Sequence, residues 1–105
     1  MKIKSFQYAY GEGEEREIDI PDVEWEKMDV AGRLEAAFYY GQNDFQPVKD
    51  RYSVSVGDVI DLGPDGLHLV CGIGFKAIPA EEFEAWKAKP RRERLDKASS
   101  LYMGI

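Results

Sequence analysis

Few residues in this 105-residue chain are equipped for chemistry. There is one histidine, His68, and one cysteine, Cys71. A thiol and an imidazole make a nucleophile and its base only when they touch, and side chains three apart on a strand point to opposite faces. Cys71 shares a parity with Leu67, Leu69, Ile73 and Phe75, so it is expected in the core as a small hydrophobe. His68 is then expected on the other, exposed or partly exposed, face. One His and one Cys cannot supply the ligands of a structural zinc site. Asp58, Asp61 and Asp65 lack the odd-position oxygens and closing Glu of a calcium loop and are assigned to turn chemistry and solvation. The run Gly72-Ile73-Gly74-Phe75-Lys76-Ala77 superficially matches a dinucleotide fingerprint, but no helix opens there and no crossover follows. The residue types therefore predict no enzyme, no cofactor and no metal.

Recognition chemistry is better represented. Tyr39-Tyr40-Gly41-Gln42-Asn43-Asp44-Phe45-Gln46 concentrates amides and a carboxylate beside aromatic rings. Amides donate and accept hydrogen bonds, and rings give a rigid apolar platform. Tyr39, Tyr40, Gln42, Asn43, Asp44, Phe45 and Gln46 form the candidate partner-binding site, with a small-molecule pocket as a weaker use of the same loop. The competing assignment is structural, with the amides satisfying backbone groups while Phe45 plugs the core. A second candidate comes from charge. Residues 1–86 hold eight Lys/Arg against eighteen Asp/Glu, whereas 87–105 hold six against two. An acidic body disfavours nucleic acid except through the basic ending, where Arg91, Arg92, Arg94 and Lys97 could meet phosphates. Those four are the alternative nucleic-acid site, beside the plainer assignment to a solvated terminal helix.

The elements that must position these groups follow from periodicity. Phe6, Tyr8 and Tyr10 alternate with Ile3, Ser5, Gln7 and Ala9, which predicts a strand with an aromatic face and a bulge after Ile3. Gly11–Glu15 is the turn of a hairpin, and Arg16–Ile20 returns with Ile18 and Ile20 in phase. Asp22 and Asp29 can cap two helical pieces, the first carrying Trp25 and Met28. The second presents Val30, Leu34, Ala37 and Phe38 as an apolar stripe, turns Arg33 and Glu35 outward and stops at Gly41. From Tyr52 the pattern is β, with turns at Gly57-Asp58 and Gly63–Gly66 and one long strand over 67–75. Gly72 and Gly74 on that strand mark a bend or the close approach of another backbone. Glu81–Lys89 is the last helix of the body, with Phe83 and Trp86 inward and Pro90 as breaker. Leu95, Ala98, Leu101 and Tyr102 could line a short helix beyond it.

The order ββ-αα-ββ(β)-α predicts an α+β domain, a small antiparallel sheet or half-barrel with helices packed on one face. Residues 1–89 form the domain and 90–105 a basic C-terminal tail or short helix. Six Tyr, five Phe and two Trp supply core material. Apolar runs are far too short for a membrane helix, no secretory leader is evident, and a lone cysteine fits a reducing cytoplasm.

Three stretches resemble a known family, the small YodL-like domain of bacterial mobile elements and phages. They are Leu34-Glu35-Ala36-Ala37-Phe38-Tyr39-Tyr40-Gly41-Gln42-Asn43-Asp44-Phe45, then Ser53-Val54-Ser55-Val56-Gly57-Asp58-Val59-Ile60, then Gly74-Phe75. The resemblance brings no catalytic residues and implies a context, an accessory protein of a conjugative element or prophage. The expected function is non-enzymatic binding to a host or element-encoded protein, as in anti-defence. Single-stranded nucleic-acid binding through the C-terminal tail is the alternative.

Overall fold

The computed structural model describes residues 1–9, 11–21, 25–42 and 53–100, the last two by their backbone alone. Five antiparallel strands form one sheet: β1 (Lys2–Gln7), β2 (Glu14–Asp19), β3 (Val59–Asp61), β4 (Leu67–Val70) and β5 (Phe75–Ile78), in the order β2-β1-β3-β4-β5. Three α-helices, α1 (Val30–Tyr40), α2 (Ala80–Ala88) and α3 (Arg91–Ser100), complete the α+β fold, with 3-10 turns at Trp25–Lys27 and Gly63–Asp65. The sheet is open, with β2 and β5 as its edges among the described residues.

The helices lie on both faces of the sheet, which corrects the one-face expectation. Consecutive apolar residues in β3 (Val59, Ile60) and β4 (Leu69, Val70) send one side chain of each pair to either face, and each face then needs a cover. Ile3, Ile18, Ile60 and Val70 pack with Trp25 and with Leu34 and Ala37 of α1. Tyr8, Val59, Leu69, Cys71 and Ile78 pack with Phe83 and Trp86 of α2 and Ala98 of α3. Of the expected aromatic face, Phe6 and Tyr8 meet the Phe83 ring at 5.2 and 6.2 Å, and Tyr10 lies outside the described residues. The bulge expected after Ile3 is absent, since the β1–β2 register runs unbroken from Lys2↔Asp19 to Gln7↔Glu14.

The predicted long strand over 67–75 is instead a hairpin. Cys71–Gly74 turns the chain, and the Gly72 N–H donates to the Ala98 carbonyl of α3 at 2.8 Å. Phe75 consequently pairs with Val70, faces α1 and meets Phe38 at 6.3 Å, on the face opposite Cys71. Ile73, at the turn, is exposed.

The cap of α1 follows the sequence, whereas Asp22, expected to cap the piece before it, lies outside the described residues. Asp29 Oδ1 accepts the Gly32 N–H at 2.7 Å and starts α1. Gly41 ends it for a reason of space: its φ is −73°, an ordinary helical value, but a Cβ there would lie 2.4 Å from Val54 Cγ2 and 2.7 Å from the Ala37 carbonyl. Arg33 does not face outward as expected. Its guanidinium donates to the Trp25 carbonyl through Nε and Nη2, each at 3.1 Å, and pairs with Asp65 at 2.9 Å. No helix among the described residues is long and apolar enough to cross a membrane.

Candidate functional site

Of the seven residues predicted to bind a partner, Tyr39, Tyr40 and Gln42 are described, whereas Asn43, Asp44, Phe45 and Gln46 lie outside the described residues. The three serve different ends. Gln42 Nε2 donates to the Phe38 carbonyl at 2.9 Å and to the Val54 carbonyl at 3.2 Å, clamping the end of α1 to the chain entering β3. This is the structural use of an amide that its neighbourhood of backbone carbonyls invites. Tyr40 is half-buried and packs against the α1-side core. Tyr39 alone offers its ring to solvent, 54% exposed, with the Tyr40 ring edge-on at 4.9 Å.

The basic quartet is not gathered on one surface. Residues 91, 94 and 98 lie on one side of α3, and that side faces the domain. Arg94 is 2% exposed, its guanidinium 4.8 Å from the centre of the Tyr8 ring, and it donates to the Lys87 and Lys89 carbonyls that end α2. Arg91 Nε donates to the Ala9 carbonyl at 3.1 Å. Arg92 and Lys97 remain at the surface, interspersed with exposed Glu93 and Asp96. The buried Arg94 therefore cannot contact a phosphate in this fold, a correction to the proposed nucleic-acid set. Its side chain instead lies between α3 and the body, against the Tyr8 ring and the end of α2. Leu101 and Tyr102 lie outside the described residues.

Two buried polar groups depart from the sequence reading. His68, expected at the surface, is 6% exposed beneath α1, paired across the sheet with Ile60 and Ala77. Burial holds its pKa below the usual histidine value against the opposing pull of the Gly66 carbonyl and Asp65. With Arg16 and Ser5 it makes a polar row across the sheet in register with Ile60. The signal available was the parity it shares with Val70. Asp58, assigned to a solvated turn, is 1% exposed. Its carboxylate accepts N–H groups from Tyr8 and Ala9 at 2.8 Å and from Ser55 at 3.0 Å. Burial nevertheless outweighs these bonds and raises its pKa to about 6. Asp61, by contrast, does turn chemistry, accepting the Gly63 N–H at 2.8 Å. Cys71 is buried as expected, and burial pushes its thiol pKa up. Among the described residues no three His, Cys, Asp or Glu side chains group as metal ligands.

One surface with a chemical character, among the described residues, is on the sheet itself. α2 and α3 cover Phe6, Val59, Leu69 and Ile78 but not the outer part of that face, where Lys2, Lys4, Glu15, Glu17, Asp19 and Asp61 stand. Lys2 pairs with Glu17 at 3.4 Å and Lys4 with Glu15 at 3.6 Å, both in exposed positions. Carboxylates outnumber the ammonium groups, and the band borders β2, whose outer edge has no strand neighbour among the described residues. A flat acidic face beside an open edge can receive basic side chains and an extended backbone together.

Compared with protein-family models, with curated proteins and with solved structures, the chain matches none.

Proposed function

We propose that the chain is a non-enzymatic docking domain that binds a basic protein surface, as an accessory protein of a bacterial mobile element or prophage would in the cytoplasm. The observation that carries this reading is the acidic sheet face along β2, with Glu15, Glu17 and Asp19 beside a strand edge that has no strand neighbour among the described residues. An excess of one sign of charge over a surface steers and orients a partner of the other sign. The acidic body as a whole, with a net charge of −6 for the chain, acts in the same direction. The mobile-element setting rests on the YodL-like resemblance of residues 34–45 and 53–60. Occlusion of a basic, nucleic-acid-handling surface on a host protein is the anti-defence form of this activity. Of the described residues of the predicted loop, exposed Tyr39 is the one whose ring is open to an aromatic contact.

The test is affinity capture from bacterial lysate at low and high salt, with wild type and the Glu15→Lys/Glu17→Lys variant compared by mass spectrometry. A stoichiometric basic protein held by wild type and lost by the variant supports the proposal. Capture that ignores the charge reversal overturns it. Nucleic acid in the eluate that disappears with salt moves the assignment to the tail alternative.

A further inference from the structure

The two edges of the sheet differ in charge. β2 carries Glu15 and Glu17, whereas β5, with no strand neighbour beyond it among the described residues, contains no acid. The phase of the β4–β5 ladder follows from two bonds. The Val70 N–H donates to the Asp58 carbonyl on the β3 side at 2.9 Å, and the Cys71 N–H to the Gly74 carbonyl at 2.9 Å. Lys76, opposite Leu69, and Ile78, opposite Leu67, therefore bond inward to β4, and the N–H and C=O groups of Phe75 and Ala77 point out of the sheet. A groove of about 290 Å³ runs between this edge and α1, with Val30, Ala31, Leu34, Phe75 and Ala77 as its apolar lining. Its polar lining is buried His68 and exposed Glu35. Val30 is 39% exposed, and Ile73, next in the chain to the groove's Gly74, is 61% exposed.

We propose that β5 pairs antiparallel with β5 of a second copy of this chain, about a two-fold axis at Lys76, giving a dimer with one continuous sheet. In that register Phe75 exchanges both backbone hydrogen bonds with Ala77 of the second copy, and Ala77 does so with its Phe75. The side chains are self-complementary in size. Phe75 and Ala77 stand on the α1 face, so each ring lies opposite a methyl group and reaches toward the groove beside it. Charge also permits the contact. The other face sets Lys76 against its own copy, but each lysine is paired with Glu82 at 3.2 Å, which leaves the axis neutral. An edge strand is ordinarily kept from pairing by an uncompensated charge, and β5 has none. Two-fold pairing consumes both β5 edges and stops there. It uses the edge opposite β2 and does not depend on the docking reading.

Sedimentation equilibrium of the full chain from about 1 to about 500 μM should show monomer passing to dimer, with a Kd on the order of 10 μM for so short an edge. Ala77→Pro removes an outward N–H that the β4–β5 ladder does not use, and Ala77→Arg sets a long cation where the facing ring should lie. Each should weaken the dimer at least about tenfold. Glu17→Lys, on the far edge, should not weaken it. Hydrogen exchange of wild type needs no variant to fold: the Phe75 and Ala77 amides should exchange more slowly at the highest concentration than at the lowest. A monomer at every concentration, assemblies larger than a dimer, or exchange at these two amides that ignores concentration overturns the proposal. So does a dimer that keeps its strength in both Ala77 variants or is lost with Glu17→Lys.

Discussion

The Asp58 carboxylate accepts the Tyr8 amide N–H at 2.8 Å, joining residues 50 positions apart. The same oxygen takes the Ala9 N–H, and the other takes that of Ser55. One side chain thus satisfies the backbone where β1 ends and where the chain turns into β3. Asp58→Ala leaves the buried Tyr8 and Ala9 donors unpaired, at about 1–3 kcal/mol each. Urea unfolding measures the loss, and a change under about 0.5 kcal/mol would refute the bracing role.

The raised pKa of Asp58, about 6 against 3.8 in an ordinary carboxyl, fixes a direction with pH. The folded state binds this proton more tightly than the unfolded state. The corresponding stability is therefore fully present below about pH 4 and is lost as pH rises through about 6, by about 3 kcal/mol at most. Asp58→Ala should accordingly cost more at pH 4 than at pH 7. His68, whose folded pKa is lowered, acts the other way and destabilises the fold as pH falls below the ordinary histidine value. Comparing wild type and Asp58→Ala at each pH cancels that contribution. An identical difference at both pH values would contradict the assignment.

Gly41→Ala should destabilise the fold by about 1–3 kcal/mol through overpacking against Val54 and the Ala37 carbonyl. In a domain of this length each kcal/mol moves the melting temperature by about 4–8 °C. Calorimetry that finds a gain in stability, as the helix propensity of alanine alone would give, contradicts the contact.

The two neighbouring tyrosines should separate binding from folding. Tyr39→Ser should leave the unfolding free energy within about 0.5 kcal/mol, since its ring is exposed. Tyr40→Ala, removing a ring packed on the core, should cost about 2 kcal/mol or more. Partner capture that survives Tyr39→Ser removes this loop from the interface.

Arg94 carries a buried charge whose Nε and Nη2 lack hydrogen-bond partners among the described residues, with Glu12 at 3.8 Å as its ion-pair neighbour. Arg94→Met keeps the stem beside Tyr8 and removes the charge, so unfolding free energy should stay within about 1 kcal/mol of wild type or rise. A loss of several kcal/mol would mean that the guanidinium itself holds α3.

Local signals were legible where one parity or one helical stripe carried the information. Ile18 and Ile20, the Asp29 cap and the Leu34/Ala37/Phe38 stripe are of this kind. What misled was a pattern that crosses a turn. Leu67 to Phe75 keeps one parity through Cys71–Gly74, yet a hairpin reverses the chain there and sends Phe75 to the other face. The doublets Val59-Ile60 and Leu69-Val70 did signal a sheet covered twice, which the assignment of helices to one face left unused. Burial of His68 and Asp58 depends on partners far away in sequence: α1 lies over the first, and the amides of Tyr8 and Ala9 reach the second. Spacing within a motif contains no record of either. The candidate loop was legible as polar and aromatic, whereas the use of Gln42 as a clamp depends on where Val54 lies.

The open edge of β2 has a bearing on self-association. Two copies meeting edge to edge along this strand would align Glu15 and Glu17 of one with the same residues of the other, inside a Debye length. The edge that attracts a basic partner thereby refuses its own twin, which keeps a six-residue strand from templating a continuous intermolecular sheet. That refusal weakens with added salt, which screens the carboxylates across the shared edge.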